Sequence, residues 1–200
     1  LEPRPDLVVI GNVCRPTNPE ARAAIDGGMR YASMPSALAE LVLEGCAPLV
    51  VGGTHGKTTT SAMSAFVLDQ AGLAPGFLIG GLPKNFDASF RAPGPRKLAV
   101  ASGGGQRRKR PFVVEGDEYD TAFFEKTPKF WHYRPEVAIV TSIEHDHIDI
   151  YPDERSYRAA FDGFVARLPE HGLLVSAGHD RGDVEAARGA RCETVFYCLS

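Results

Sequence analysis

The chain has 200 residues, 44% apolar and 24% charged, with a formal net charge of −3, which suffices for one full core or one core plus part of a second. That balance excludes a general electrostatic attraction to nucleic acid or to an anionic membrane, so an anionic ligand has to be held by local groups. No apolar run approaches the ~18 residues of a membrane helix, and no basic start precedes an apolar stretch, so a cytoplasmic protein is expected.

The chain opens at Leu1 and runs almost at once into "DLVVIGN", which predicts a buried strand over Leu7 to Ile10 and a piece of a longer protein. Asn18 as N-cap with Pro19 in the first turn starts a helix that Gly27 stops. A second helix is predicted over Pro35 to Glu44 before Gly45, and a third over Lys57 to Ala71, closed by Gly72. Buried strands are predicted at Leu49 to Val51, Phe112 to Val114, Val137 to Val140 and Leu173 to Val175. This rhythm is that of an α/β protein with a mostly parallel sheet flanked by helices. A domain boundary is placed near residues 45 to 48, where "EGCAP" leads into the strand before a glycine-rich loop, leaving a first piece too short for a complete domain. Residues 92 to 111, "APGPRKLAVASGGGQRRKRP", read as a mobile surface insertion. The basic run Arg107 to Arg110 lacks interleaved aromatic residues, which favours a solvated loop over a nucleic-acid contact. Cys14, Cys46, Cys192 and Cys198 form neither a CxxC pair nor a close Cys/His set, so reduced, packed thiols are expected.

The stretch "PLVVGGTHGKTTTSAM" carries the chemistry. The common phosphate loop has a glycine five positions ahead of the glycine of GK. Val51 stands there, and Gly53 comes only three ahead. The physical requirement is nevertheless met by a strand that ends in small residues, so that backbone N–H groups converge on an anion at the start of the next helix. Gly53, Thr54, His55 and Gly56 form the turn. Lys57 brings a positive charge, Thr58 a hydroxyl for Mg2+, and Thr59 and Thr60 a polar helix entry. The competing reading is a glycine-rich turn with an ordinary surface lysine, and His55 has no evident task beyond a solvated side chain or a local hydrogen bond.

Downstream, "FVVEGDEYD" places Glu115, Asp117 and Glu118 just past a buried strand, where α/β sheets present ligand-binding groups. Carboxylates crowded there are tolerable around a divalent cation. The alternative is an acidic edge loop paired with Lys126 or Lys129. The next strand leads into Glu144, His145, Asp146, His147 and Asp149, a set that by itself suits a transition metal. Phosphate loop, acidic strand end and histidine strand end are expected to converge on one crevice.

These residues resemble the Mur ligase family, ATP-dependent amide-forming enzymes of peptidoglycan metabolism with a shortened phosphate loop of the form GTxGKT. "GTHGKTTT" at 53 to 60 matches that loop, "EGDEYD" at 115 to 120 the magnesium glutamate region, and "DHID" at 146 to 149 the DHxD segment. The likeness runs from "LEPRPDLVVIGN" to about residue 175. It implies a Rossmann-like end of a UDP-binding domain at residues 1–47 and the first part of an ATP-binding central domain at 48–200, with the C-terminal domain absent. It further implies ATP and Mg2+ as cofactors, with Gly53 to Thr59 at the nucleotide, Lys57 on its phosphates, Thr58 and Glu115 as magnesium ligands and His147 on a second magnesium; Lys57, Glu115 and His147 are the implied catalytic set.

"PGFLIGGLPKNF", "DEYDTAFFEK" and "FWHYRPEVAI" are most similar to members that join UDP-N-acetylmuramate to the murein tripeptide L-alanyl-γ-D-glutamyl-meso-diaminopimelate in cell-wall recycling. Neither nucleic acid nor membrane is an implied partner, and the 200 residues alone are expected to lack ligase activity. Two departures stand out: Ser142 replaces an asparagine common in relatives, and no lysine follows Lys129 where some members carry a carbamylated one. The alternatives are a ligase of UDP-N-acetylmuramate with L-alanine, and a non-catalytic nucleotide-binding module.

Overall fold

A computed structural model describes residues 3–95, 109–146, 150–178 and 181–198. Strand β1 (Val8–Ile10), helix α1 (Pro19–Asp26) and strand β2 (Tyr31–Ser33) make a small parallel βαβ unit, with Val8 opposite Tyr31. The Asn18 side chain accepts from Glu20 N and Ala21 N, both at 3.0 Å, and Pro19 needs no amide partner in the first turn. Ser33 caps α2 (Met34–Leu38), which widens into a π-helical turn over Ala39–Leu43 before Gly45 takes a φ of +78°. The predicted second helix is therefore present, shifted by one residue, with its later half wound more loosely than its sequence pattern suggests.

The main sheet follows. Its elements in chain order are β3 (Cys46–Gly52), α3 (Lys57–Gln70), β4 (Gly76–Leu78), β5 (Phe90–Arg91) and β6 (Arg110–Glu115). A small antiparallel hairpin, β7 (Asp120–Ala122) and β8 (Glu125–Pro128), and a 3-10 turn over Lys129–His132 interrupt it. Then come β9 (Val137–Val140), α4 (Glu154–Val165), β10 (Leu173–Ala177), α5 (Arg181–Ala187) and β11 (Glu193–Tyr197). The spatial order is β11-β10-β9-β3-β6-β4-β5, parallel throughout except for the β4/β5 edge. The mostly parallel sheet read from the sequence is thus present.

From β3 the chain crosses over through α3 to β4, beyond β6. From β9 it passes through α4 to β10 on the other side. Connections diverge around β3, and such a switch point opens a crevice at the strands' C-terminal ends.

The strands are near-continuous apolar runs because both faces are covered. On one face α4 buries Tyr157, Ala160, Phe161, Phe164 and Val165, a helical i, i+3, i+4 stripe, against Val50, Val114, Ala138 and Val140. Phe130 meets Phe164 edge-on at 4.5 Å between centroids. On the other face α3 packs Ala65 against Phe77, Ile79 and Val113.

The N-terminal unit is tied to this body by polar contacts. Ser33 Oγ donates to Glu125 Oε2 at 3.1 Å, and Ser36 Oγ lies 3.2 Å from His132 Nδ1. His132 Nε2 faces the hydroxyls of Thr121 and Thr127, both at 3.2 Å. Burial lowers the pKa of His132, with Glu125 opposing and Arg167 adding to the shift.

Residues 96–108 of the expected insertion, including Arg107 and Arg108 of the basic run 107–110, fall outside the described residues. Of that run's described members, Lys109 pairs with Glu136 at 2.5 Å and Arg110 donates to Pro93 O at 3.2 Å. No described helix is long and apolar enough to cross a membrane. The cysteines are free thiols, with Cys46 buried.

Candidate functional site

The loop after β3 is shaped by close approach. Gly53 has a φ of +138°, and a Cβ there would lie 2.1 Å from Thr141 Oγ1, so only glycine fits. Gly56, at φ +81°, opens α3 without a side-chain cap, which directs the helix's first N–H groups into the crevice.

Residues following β9 pin the loop from the side. Thr54 N donates to Ser142 O at 2.8 Å, and the Thr54 hydroxyl accepts from Glu144 N at 2.9 Å. His55 N donates to Ser142 Oγ at 3.1 Å, and Thr141 Oγ1 donates to His55 O. Ser142 therefore supplies a hydroxyl acceptor to the loop backbone. The His55 side chain is exposed; its backbone makes the contacts.

Lys57 turns back over the loop. Its Nζ donates to Gly53 O at 2.6 Å and Thr54 O at 3.2 Å, and lies 3.0 and 3.3 Å from the two Glu118 carboxylate oxygens. Glu118 is fully buried and the lysine side chain is 14% exposed. Tyr151 donates to the Glu118 carbonyl, while Tyr157 Oη lies 2.8 Å from Thr54 Oγ1 and 3.5 Å from Glu118 Oε1. Burial, reinforced by the Glu118 charge, pushes both phenols well up, so they remain protonated donors.

Glu115 sits in register with Val51 at the end of β6. Its Oε1 accepts from Thr58 Oγ1 at 2.7 Å and its Oε2 from Gly80 N at 2.6 Å. A Cβ on Gly80 would come within 3.1 Å of that carboxylate, and one on Gly81 within 3.0 Å of Thr58. The glycine pair therefore lets the chain after β4 close over the loop, a role for which the sequence offered only "IGG" as a signal. Thr58 and Glu115 together present exposed or half-exposed hard oxygen donors at the helix entry, the ligand type that suits Mg2+ with its retained waters.

The rest of the acidic run is not crowded. Asp117 pairs with Lys129 at 2.9 Å and Asp120 with Lys126 at 2.7 Å, so these two follow the edge-loop reading, whereas Glu115 and Glu118 face the phosphate loop. In the histidine segment, His145 Nε2 donates to Tyr151 O at 3.0 Å, which leaves Nδ1 as the acceptor of that ring. His147 and Asp149 lie outside the described residues. No group of three His, Cys, Asp or Glu suited to a metal occurs among the described residues.

A glycine loop between strand and helix at the switch point of a parallel sheet, facing a strand-end glutamate, is the arrangement that suits an anionic phosphate. A family model described as the Mur ligase middle domain matches residues 51–199, and the chain belongs to the Mur ligase family. It is 40% identical over 180 residues to the UDP-N-acetylmuramate–L-alanyl-γ-D-glutamyl-meso-2,6-diaminoheptandioate ligase of Escherichia coli, covering 90% of this chain and 36% of that protein. It is also 40% identical over 186 residues to the UDP-N-acetylmuramate–L-alanine ligase of Kineococcus radiotolerans, covering 93% and 35% respectively. Among solved structures, the UDP-N-acetylmuramate:L-alanyl-γ-D-glutamyl-meso-diaminopimelate ligase of Neisseria meningitidis superposes with a TM-score of 0.87 at 42% identity, covering 96% of this chain and 58% of that one. The chain thus spans little more than a third of the two curated relatives.

Proposed function

We propose that the chain is the nucleotide-handling portion of an ATP-dependent ligase that joins UDP-N-acetylmuramate to the murein tripeptide L-alanyl-γ-D-glutamyl-meso-diaminopimelate in peptidoglycan recycling in the cytoplasm. The observation that carries this reading is the Gly53–Thr58 loop facing Glu115, in a chain with the E. coli and N. meningitidis likenesses given above. Residues 1–47 then belong to a UDP-binding domain and 48–200 to the ATP-binding central domain. The domain that selects the amine lies outside these 200 residues.

A carboxylate is a poor electrophile, and the lactyl carboxylate of UDP-N-acetylmuramate gains a leaving group by attacking the γ-phosphorus of ATP. The bond to the β-phosphate oxygen breaks and ADP departs. The peptide amine then attacks the acyl carbon, phosphate leaves, and the amine's proton passes to solvent. The first step brings two anions together, so the protein's task is to position and neutralise.

Lys57 supplies one fixed positive charge on a lysine held by the loop's own carbonyls, and the first N–H groups of α3 line the same crevice. Thr58 and Glu115 fit Mg2+, with His147 the further ligand by family likeness; the ion supplies charge neutralisation on the transferring phosphoryl group.

The second reading is the L-alanine ligase, favoured by the equal identity to the Kineococcus protein. Phosphate release from ATP by the full-length protein, with Mg2+ and UDP-N-acetylmuramate, separates the two. Release driven by the tripeptide supports the first reading, and release driven by L-alanine alone supports the second. Release with neither overturns both in favour of a binding module.

A further inference from the structure

Lys57 has three ammonium donors, and the structure accounts for all of them: Gly53 O, Thr54 O and the Glu118 carboxylate. To meet a phosphate, the lysine has to release at least one of these. The two carbonyls are dipoles of the loop itself, whereas Glu118 carries a full charge that repels the phosphate it competes with.

A carboxylate with no exposure is costly to bury unless a cation and further donors hold it. Here the cation is Lys57 and the phenol beside the carboxylate is Tyr157, 3.5 Å from Oε1, while Tyr151 donates to the backbone carbonyl of Glu118 and fixes the main chain there. Tyr157 also touches Thr54 Oγ1, which is bonded to the backbone of Glu144. Glu118 thus sits where the loops after β3, β6 and β9 meet.

We propose that Glu118 is a positioning residue that holds Lys57 over the phosphate loop and competes with the nucleotide for it, so that nucleotide affinity is held down while the lysine stays aligned. This rests on the phosphate-loop reading of Gly53–Thr58. The lysine moves from Glu118 toward the phosphate when nucleotide enters and returns when ADP leaves. Removing the negative charge leaves Lys57 to the phosphates alone. Nucleotide then binds more tightly, product leaves more slowly, and the lysine is less well aligned for transfer.

The test uses the full-length protein with Mg2+-ATP and Mg2+-ADP as probes, measured by calorimetric titration and by steady-state kinetics. Glu118→Gln is expected to bind ADP roughly tenfold more tightly, the size of one charge contact at partly shielded distance, and to lower both KM for ATP and kcat. Glu118→Asp keeps the charge and is expected to return ADP affinity toward that of the unaltered protein. A folded Glu118→Gln protein with unchanged or weaker ADP binding overturns the proposal, since a merely structural role loses affinity and stability together. Absence of nucleotide binding by the unaltered protein overturns the phosphate-loop reading and this inference with it, whereas normal binding without the Glu118→Gln shift overturns this inference alone. Should Glu118→Gln not fold, the melting temperatures of Lys57→Met, Glu118→Leu and the double variant decide. The double variant is expected to be more stable than either single one, and additive losses overturn the pairing.

Discussion

Thr58 Oγ1 donates to Glu115 Oε1 across 2.7 Å, joining the first turn of α3 to the end of β6. This contact exists because β3 and β6 are neighbours in register, with Val51 opposite Glu115. Both partners are hard oxygen donors of the kind a magnesium ion takes. In the full-length protein, Glu115→Gln is expected to raise the Mg2+ concentration for half-maximal phosphate release roughly tenfold, the loss of one charged ligand. An unaltered Mg2+ dependence would refute the assignment.

Lys57→Ala removes the ammonium from the loop and leaves the Glu118 carboxylate buried without its cation. Nucleotide binding is expected to disappear, and melting temperature to fall with it, because an uncompensated buried charge costs about 3–5 kcal/mol. Calorimetry with ADP and thermal denaturation measure the two effects separately. Retained ADP affinity would remove Lys57 from the site.

Gly53→Ala places a methyl group where Thr141 Oγ1 stands, at a backbone angle that L side chains rarely adopt. The expected loss is about 1–3 kcal/mol in urea unfolding, with weaker nucleotide binding because the Thr54 and His55 contacts to Ser142 shift. A variant as stable as the original, with unchanged ADP binding, contradicts the close approach described.

His132 joins the N-terminal unit to the central sheet, and its pKa is lowered, by burial first. The unfolded chain therefore takes up a proton near the ordinary histidine value of about 6.5 while the folded chain does not. The stability tied to the neutral ring is full above that value and is lost as pH falls below it. Urea unfolding at pH 7.5 and 5.5 is expected to show a smaller difference for His132→Gln than for the unaltered protein. Equal differences would place the pH dependence elsewhere.

Gly163 lies on α4 under Trp131, whose indole nitrogen donates to Ala160 O at 2.8 Å. A Cβ at Gly163 would come 2.4 Å from Trp131 Cζ2. Gly163→Ala is expected to destabilise by about 1–3 kcal/mol through this overpacking, despite alanine's better helix propensity. A stabilised variant, read by thermal melting, would show that the indole can retreat.

What the sequence by itself determined is local. The cap at Asn18, the stops at Gly27 and Gly72, the apolar runs of β3, β6, β9 and β10, and the strand–glycine loop–helix around Lys57 were all legible, since each depends on neighbours within a few residues. The tertiary structure alone decided which acidic side chain goes where. "EGDEYD" reads as one cluster, yet Glu115 turns to Thr58, Glu118 to Lys57, and Asp117 and Asp120 to lysines of the neighbouring hairpin and turn. Successive side chains leaving a strand point in different directions, and each finds its partner through a strand order, β9-β3-β6-β4, that no local pattern encodes. The Thr54–Tyr157 contact spans 103 residues of sequence. Such contacts form only when parallel strands distant in the chain are laid side by side, which brings their C-terminal loops within hydrogen-bond reach.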